Sequence, residues 1–351
     1  MSALPSRRLP KGSTILVTGV TGYIGSWVAH EALTLGYKVR GAVRSLPQAS
    51  WLQAHFDTVF GPNQYTQTLL PSLSDKPALA AALKDVTGIA HIAVNTALSP
   101  NPEPYIPHLV AETVNLLQAA AAEHSIKAVV LTSSSMAGVP WGAKGTIPKT
   151  AYNEEYIKLA WDPSFSHPAK HFFVYAAAKA QAETAAWEYV RAAKPQFVLN
   201  TVLPNCNFGP ALVFRKQGHP STGAWPKALY DGDLAVVTGV PPQYFIDVRD
   251  TARLHVAALV DPGTSSERLW GFAEPYNWNS VLAVFRKMWP LKEFVEDLEG
   301  LGSDESVLDT EGALGALERV FGQKGWIGLE QSMREAGYDR EVSKEKEKLS
   351  V

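Results

Sequence analysis

Cysteine is almost absent from this 351-residue chain. Cys206 stands alone, which rules out an intramolecular disulfide and fits a reducing compartment. An excess of charge of one sign is missing too. Thirty-two Lys and Arg against 34 Asp and Glu leave a formal net charge of −2, without the clustered cations that nucleic acid or an acidic membrane surface requires. No stretch approaches the roughly eighteen apolar residues of a membrane-crossing helix. The opening segment, MSALPSRRLPKGS, has two arginines but no apolar run behind them. These absences set the expectation of a cytoplasmic protein whose partner is a small molecule, with no role for nucleic acid or membrane. No heptad pattern marks an oligomer interface, so monomer and homodimer both stay open.

What is present is a large core. Hydrophobic residues make up 46% and charged residues 19%, as in a globular α/β protein carrying a smaller second lobe. Ser13 to Val17 reads as a strand ending in Thr18-Gly19, and Tyr23 to Leu35 as a helix closed by Gly36. Lys38 to Val43 continues as a strand, followed by apolar runs at Gly88 to Val94, Ala128 to Thr132 and Phe197 to Leu203. Val110 to Glu123 and Val174 to Ala193 have the composition and spacing of crossover helices. The predicted fold is therefore a doubly wound parallel α/β sheet. Gly138 to Phe172, with four prolines, reads as a long irregular insertion bordering a site. Tyr244 to Val248 restores a strand-like run after a Gly/Pro-rich stretch.

Three motifs carry chemistry. Thr18-Gly-Val-Thr-Gly-Tyr-Ile-Gly25 places Gly19, Gly22 and Gly25 between the first strand and first helix, where a tight turn and a helix N-terminus favour a pyrophosphate. The acid that normally follows the second strand and binds the ribose of NAD is missing. No Asp or Glu occurs from Ala32 to Phe56, whereas Arg40 and Arg44 flank the expected ribose position. Guanidinium pairs with phosphate through bidentate, charge-assisted bonds, so Arg44 points to the 2′-phosphate of NADPH. Tyr175 and Lys179 lie four apart on a predicted helix, hence on one face, and a free tyrosine titrates only near about 10 unless a cation favours its phenolate. Thr132-Ser-Ser-Ser135 ends a predicted strand, where open α/β sheets place their ligands.

The order of these motifs resembles an extended short-chain dehydrogenase of the dihydroflavonol-reductase-like branch. Val39-Arg-Gly-Ala-Val-Arg44, Ala90-His-Ile-Ala93, Val129-Val-Leu-Thr-Ser-Ser134, Val174-Tyr-Ala-Ala-Ala-Lys179, Leu203-Pro-Asn205 and Pro241-Pro-Gln-Tyr244 are similar to fungal and yeast NADPH-dependent aldehyde and carbonyl reductases. The likeness runs from about Lys11 to past Trp326. It implies a Rossmann domain over 11–204, completed by roughly 244–262, a substrate lobe over 205–243 and 263–339, and a solvated tail over 340–351.

The resemblance further implies that Tyr175 is the general acid, that Lys179 lowers its pKa and holds the nicotinamide ribose, and that Ser134 binds the carbonyl oxygen. It places NADPH on Thr18, Gly19, Gly22, Tyr23, Ile24, Gly25, Arg44, Tyr175, Lys179 and Pro204, with no metal. Ser72 stands where many relatives carry an aspartate near the adenine, Glu112 replaces a common helix glycine, and no asparagine before Thr113 completes a catalytic tetrad. Trp225, Tyr230, Tyr244 and Phe245, with Trp141, Phe165, Phe172 and Phe173, are candidates for a pocket taking a bulky or aromatic carbonyl compound. Cys206 receives no role. The expected activity is carbonyl reduction, with a ketoreductase step in secondary metabolism as one setting. The alternatives are a sugar-nucleotide epimerase or dehydratase using NAD, and a non-catalytic NADP-binding redox sensor.

Overall fold

Short β-branched runs alternate with alanine-rich segments, and this alternation builds a parallel sheet covered on both faces. The computed structural model describes residues 7–94 and 98–340. Its strands are β1 (Thr14–Thr18), β2 (Lys38–Val43), β3 (Tyr65–Leu69), β4 (Gly88–His91), β5 (Ala128–Thr132) and β6 (Lys144–Ile147), then β7 (Val198–Pro204), β8 (Cys206–Phe208), β9 (Gln243–Asp247), β10 (Arg268–Gly271), β11 (Glu274–Tyr276) and β12 (Glu305–Leu308). Among the described residues, seven of these form one sheet in the order β10-β7-β5-β4-β1-β2-β3, with every neighbouring pair parallel. This is a Rossmann-like doubly wound sheet.

Side-chain alternation on β1 shows how both faces are buried. Ile15 and Val17 join the layer formed with the helices Tyr23–Thr34, Leu46–Phe60 and Val248–Val260, while Leu16 enters the opposite layer with Leu79, Leu116 and Ala186. The strand order reverses between β1 and β4, and their last residues, Thr18 and His91, are paired. That reversal opens the crevice in which such sheets bind ligands. Among the described residues no helix is long and apolar enough to cross a membrane.

Several expectations need correction. The helix expected from Val110 begins at Pro102, because a proline at the first helical position loses no hydrogen bond, and Asn101 caps it by accepting from the Glu103 N–H. The insertion from Gly138 to Phe172 is not wholly irregular: it contains β6, which pairs in parallel with β12, and a helix over Glu154–Trp161. The expected division of the chain also shifts. β10, assigned by sequence to the substrate lobe, is the edge strand of the large sheet, whereas β9, expected to complete the Rossmann domain, lies in a three-stranded sheet with β8 and β11. The physical reason is pairing geometry: Arg268 to Gly271 align with Thr201 to Pro204. The second lobe has its own core, built on Phe208, Phe245, Tyr276, Trp278, Phe285 and Met333. Most of the expected tail, 341–351, lies outside the described residues.

Candidate active site

The glycines after β1 are required by space. Gly19 has φ +66, and a Cβ there would lie 2.9 Å from the Ala93 nitrogen; a Cβ on Gly25 would lie 2.2 Å from the Gly19 carbonyl oxygen. The helix that follows starts at Tyr23 with no side chain capping it, so its N-terminal dipole faces the turn. Thr18 Oγ1 accepts from the Ile92 and Ala93 N–H groups and therefore donates its own proton to His91 Nδ1 at 2.8 Å. Burial lowers the pKa of His91 to about 3, so it stays neutral. Thr18 thus ties the end of β1 to the end of β4, and Ile24 lies in the first turn of the same helix. The Tyr23 hydroxyl donates to the Gly209 carbonyl at 2.6 Å, which commits it to a contact between the two lobes.

Beside this turn lies an open cleft of about 320 Å³, lined by residues that include Thr21, Gly22, Arg44, Gln48, Trp51 and Lys216, with no carboxylate among the lining side chains. Arg44 is exposed there and has no hydrogen-bond or ion-pair partner among the described residues. Arg40 does not share this position: its guanidinium donates to the Ala82 and Lys84 carbonyls, at 2.9 and 2.7 Å, and so satisfies the end of a helix. Ser72 Oγ accepts from the Ser74 N–H in a local turn. A glycine cradle that tolerates no Cβ, an uncapped helix and a free arginine in an acid-free cleft fit a dinucleotide carrying an extra phosphate.

The other motifs meet at the C-terminal edge of β5. Ser134 lies beside the Tyr175 hydroxyl, its own Oγ accepting from the Met136 N–H at 3.3 Å. Burial raises the phenol's pKa, and the neighbouring Ser134 hydroxyl opposes that rise. Tyr175 and Lys179 share one face of the helix Lys170–Ala193. Lys179 is 6% exposed, and its Nζ donates to the Thr132 carbonyl at 2.7 Å. Burial lowers the ammonium's pKa to about 8, with Glu183 acting against the decrease. Lys179, expected to lower Tyr175, is not among the groups that shift it, and the change is set first by burial; the ammonium is directed at a backbone carbonyl. Ser133, the alternative serine, points elsewhere, its Oγ donating to Glu183 Oε2 at 2.7 Å. Pro204 ends β7, with the Asn205 N–H bonded to the Gly271 carbonyl.

Sequence reasoning missed Glu183. Its spacing of four from Lys179 was available as a signal, since i, i+4 residues share a helix face. The carboxylate also accepts from Thr201 Oγ1 at 2.9 Å and Arg268 Nε at 2.7 Å. Arg268 lies over the Tyr152 ring at 4.3 Å and donates to the Ala151 carbonyl; nothing in the sequence around it foretold this. His255 was missed as well. Its Nδ1 donates to the Thr251 carbonyl and its Nε2 accepts from Thr132 Oγ1 at 2.7 Å, and burial holds its pKa near about 4. A cavity of about 10 Å³, the scale of a single water, lies among Lys179, Thr113, His91 and Glu183.

The aromatic candidates divide. Phe245 is fully buried core, and Tyr230 packs against Phe285, Trp289 and Phe294 in the second lobe, where Trp225 also packs. The Tyr244 hydroxyl donates to the Ser306 carbonyl. Phe165 and Phe173 pack with Tyr156. Trp141 and Phe172 form an edge-to-face pair, with centroids 5.2 Å apart, one turn before Tyr175. Cys206 is buried close to Tyr175 and its thiol is pushed up to about 12, which makes it inert. Among the described residues no group of three or more His, Cys, Asp or Glu could hold a metal.

Comparison with known proteins identifies the family and the fold. Residues 15–269 match the model of the "NAD dependent epimerase/dehydratase family". Aldehyde reductase 2 of Sporidiobolus salmonicolor is 35% identical over 339 residues, covering 95% of this chain and 98% of that protein. A ketoreductase of Penicillium rubens is 33% identical, covering 97% of this chain and all of its own. The yeast methylglyoxal/isovaleraldehyde reductase, crystallised with NADPH, superposes with a TM-score of 0.77 over 92% of this chain and 96% of its own; its 23% identity makes this a likeness of fold.

Proposed function

The chain belongs to the NAD dependent epimerase/dehydratase family, and on that premise we propose that it is an NADPH-dependent reductase that converts an aldehyde or ketone to the alcohol. The observation that carries this reading is the meeting of Ser134 and Tyr175 at the C-terminal edge of the parallel sheet, one helical turn from a buried lysine that donates to the Thr132 carbonyl. When bound, NADPH supplies the hydride. The glycine turn and the start of the helix Tyr23–Thr34 hold the pyrophosphate, and Arg44 holds the 2′-phosphate, in the absence of a ribose-binding acid.

Tyr175 is protonated at neutral pH because burial raises its pKa. It gives its proton to the substrate oxygen as negative charge develops there, and Ser134 donates a second hydrogen bond to the same atom. The Lys179 ammonium, fixed by Thr132, offsets the phenolate left behind and binds the nicotinamide ribose. Phe172, one turn before Tyr175 and packed edge-to-face with Trp141, favours a bulky or aromatic carbonyl compound. A ketone substrate, with secondary metabolism as one setting, is in keeping with relatives that are an aldehyde reductase and a ketoreductase. A dehydratase of this kind needs an acid directly after the serine, whereas Ser135-Met136-Ala137 provides none.

The test follows cofactor absorbance with a panel of aromatic and aliphatic aldehydes and ketones, NADPH or NADH, and the variant Tyr175→Phe. Carbonyl-dependent oxidation that is faster with NADPH and lost in the variant is expected. NADPH binding without turnover, equal in wild type and variant, would replace the reductase with a redox sensor.

A further inference from the structure

One segment of the second lobe lies directly on the nucleotide-binding turn. It runs from Gly209 to Pro220 and is attached at three points. The Tyr23 hydroxyl donates to the Gly209 carbonyl at 2.6 Å, and Trp27 Nε1 donates to the Pro210 carbonyl at 2.8 Å. Gln217 Nε2 donates to the Thr21 and Gly22 carbonyls, each at 3.2 Å, and lies 3.1 Å from Ser26 Oγ. The other end of the same amide, Gln217 Oε1, accepts from the Val213 N–H at 3.0 Å, which fixes its orientation. The strap is thus registered against the glycine turn to within a residue.

This registration decides where Lys216 goes. Lys216 and Arg44 line one cleft, the first from the strap and the second from the end of β2. Both are exposed, and neither cation has a hydrogen-bond or ion-pair partner among the described residues. The cleft has no carboxylate in its lining. Two uncompensated positive charges on one small cleft repel each other, and a dianion bound beside them turns that repulsion into attraction. A ribose hydroxyl cannot do this.

We propose that Lys216 is a second cationic ligand for the 2′-phosphate of the dinucleotide, supplied by the substrate lobe across the cleft from Arg44. The inference rests on the NADPH reading given above and deepens it. Arg44 reads the phosphate from the nucleotide-binding sheet, and Lys216 reads it from the strap, so the extra phosphate tethers one lobe to the other.

The experiment is calorimetric titration of 2′,5′-ADP and of ADP into the wild-type protein and into Lys216→Ala, Lys216→Arg and Arg44→Ala. Because Lys216 is exposed, unchanged melting temperatures will accompany its substitution. Lys216→Ala is expected to weaken 2′,5′-ADP about tenfold, the loss of one charge-assisted contact, and to leave ADP within about twofold. Lys216→Arg should retain most of the affinity, and raising the salt should weaken 2′,5′-ADP less in Lys216→Ala than in wild type. Wild-type preference for 2′,5′-ADP combined with an unaffected Lys216→Ala overturns the strap assignment and leaves the NADPH reading standing. Equal weakening of ADP and 2′,5′-ADP assigns Lys216 to the pyrophosphate and also overturns it. Absence of any wild-type preference removes both readings together.

Discussion

The Glu183 carboxylate meets the Arg268 guanidinium at 2.7 Å, with the carboxylate side chain fully removed from solvent and the arginine nearly so. This pair lies one turn beyond Lys179 on the face that carries Tyr175, and it also receives Ser133. Glu183→Gln leaves a buried guanidinium without its counter-charge, which costs about 3–5 kcal/mol and lowers the melting temperature. Glu183 also opposes the burial that brings Lys179 to about 8. Without the carboxylate the ammonium falls further, so the alkaline limb of the kcat profile moves to lower pH. An unchanged profile would restrict Glu183 to stability. Glu183→Gln combined with Arg268→Met should cost less than the two singles together.

The adjacent serines separate by function. On the reductase reading Ser134 donates to the reacting oxygen, so Ser134→Ala should reduce kcat by about 10²–10³, with nucleotide affinity intact. Ser133→Ala removes one of several donors to Glu183 and should cost on the order of 1 kcal/mol of stability with kcat close to wild type. Steady-state kinetics and thermal melts of the two variants side by side distinguish the roles; reversed results would exchange them.

The two arginines of β2 and its end make the opposite contrast. Arg44→Ala should weaken NADPH by about 10- to 100-fold and leave the melting temperature of the free protein unchanged. Arg40→Ala should lower the melting temperature, because the Ala82 and Lys84 carbonyls lose their donor, and leave the preference for NADPH over NADH in place.

Gly25→Ala forces a methyl group to within 2.2 Å of a backbone carbonyl. The turn and helix must separate, at a cost of roughly 1–3 kcal/mol. Nucleotide binding, measured by titration with ADP, should fall more than stability does, since the same turn holds the pyrophosphate.

Stability should decline in mild acid. His91 and His255 are buried and held at about 3 and about 4, below the ordinary 6.5. The unfolded chain binds those protons first, so their contribution is present above about pH 6.5 and is lost as pH falls toward 4, at about 1.4 kcal/mol per pH unit for each. Asp250 works in the other direction. Burial raises it to about 6, so between 6 and its ordinary 3.8 the folded state takes up the proton and offsets part of the loss. Melting temperatures from pH 7 to 4 test this, and His255→Gln should flatten the curve.

The glycine turn, the serine cluster and the Tyr175–Lys179 pair were legible because each depends on local geometry: a turn without room for Cβ, a strand end, and one helical face. The same local logic placed most strands of the nucleotide-binding sheet. It failed at β10 and at the β6–β12 pair, whose membership depends on partners distant in the chain and which carry no distinctive periodicity. Arg268 was invisible for the same reason. Sequence assigned the 2′-phosphate to Arg44 and not to Arg40, but it did not show that Arg40 serves a nearby helix end. The aromatic set was ambiguous because large rings supply core and pocket alike, and Phe245 proved to be core.

The position of β10 at the edge of the large sheet affects how the protein is made. A nascent chain that has emerged only through β7 presents that strand with one unpaired edge and holds Glu183 with no guanidinium to meet it. The helix that carries Tyr175 and Lys179 gains this counter-charge only once Arg268 has been made, after the glycine turn, the serines and the tyrosine. Fragments ending near Pro204 contain every motif of the reaction and still lack the strand that neutralises its buried acid.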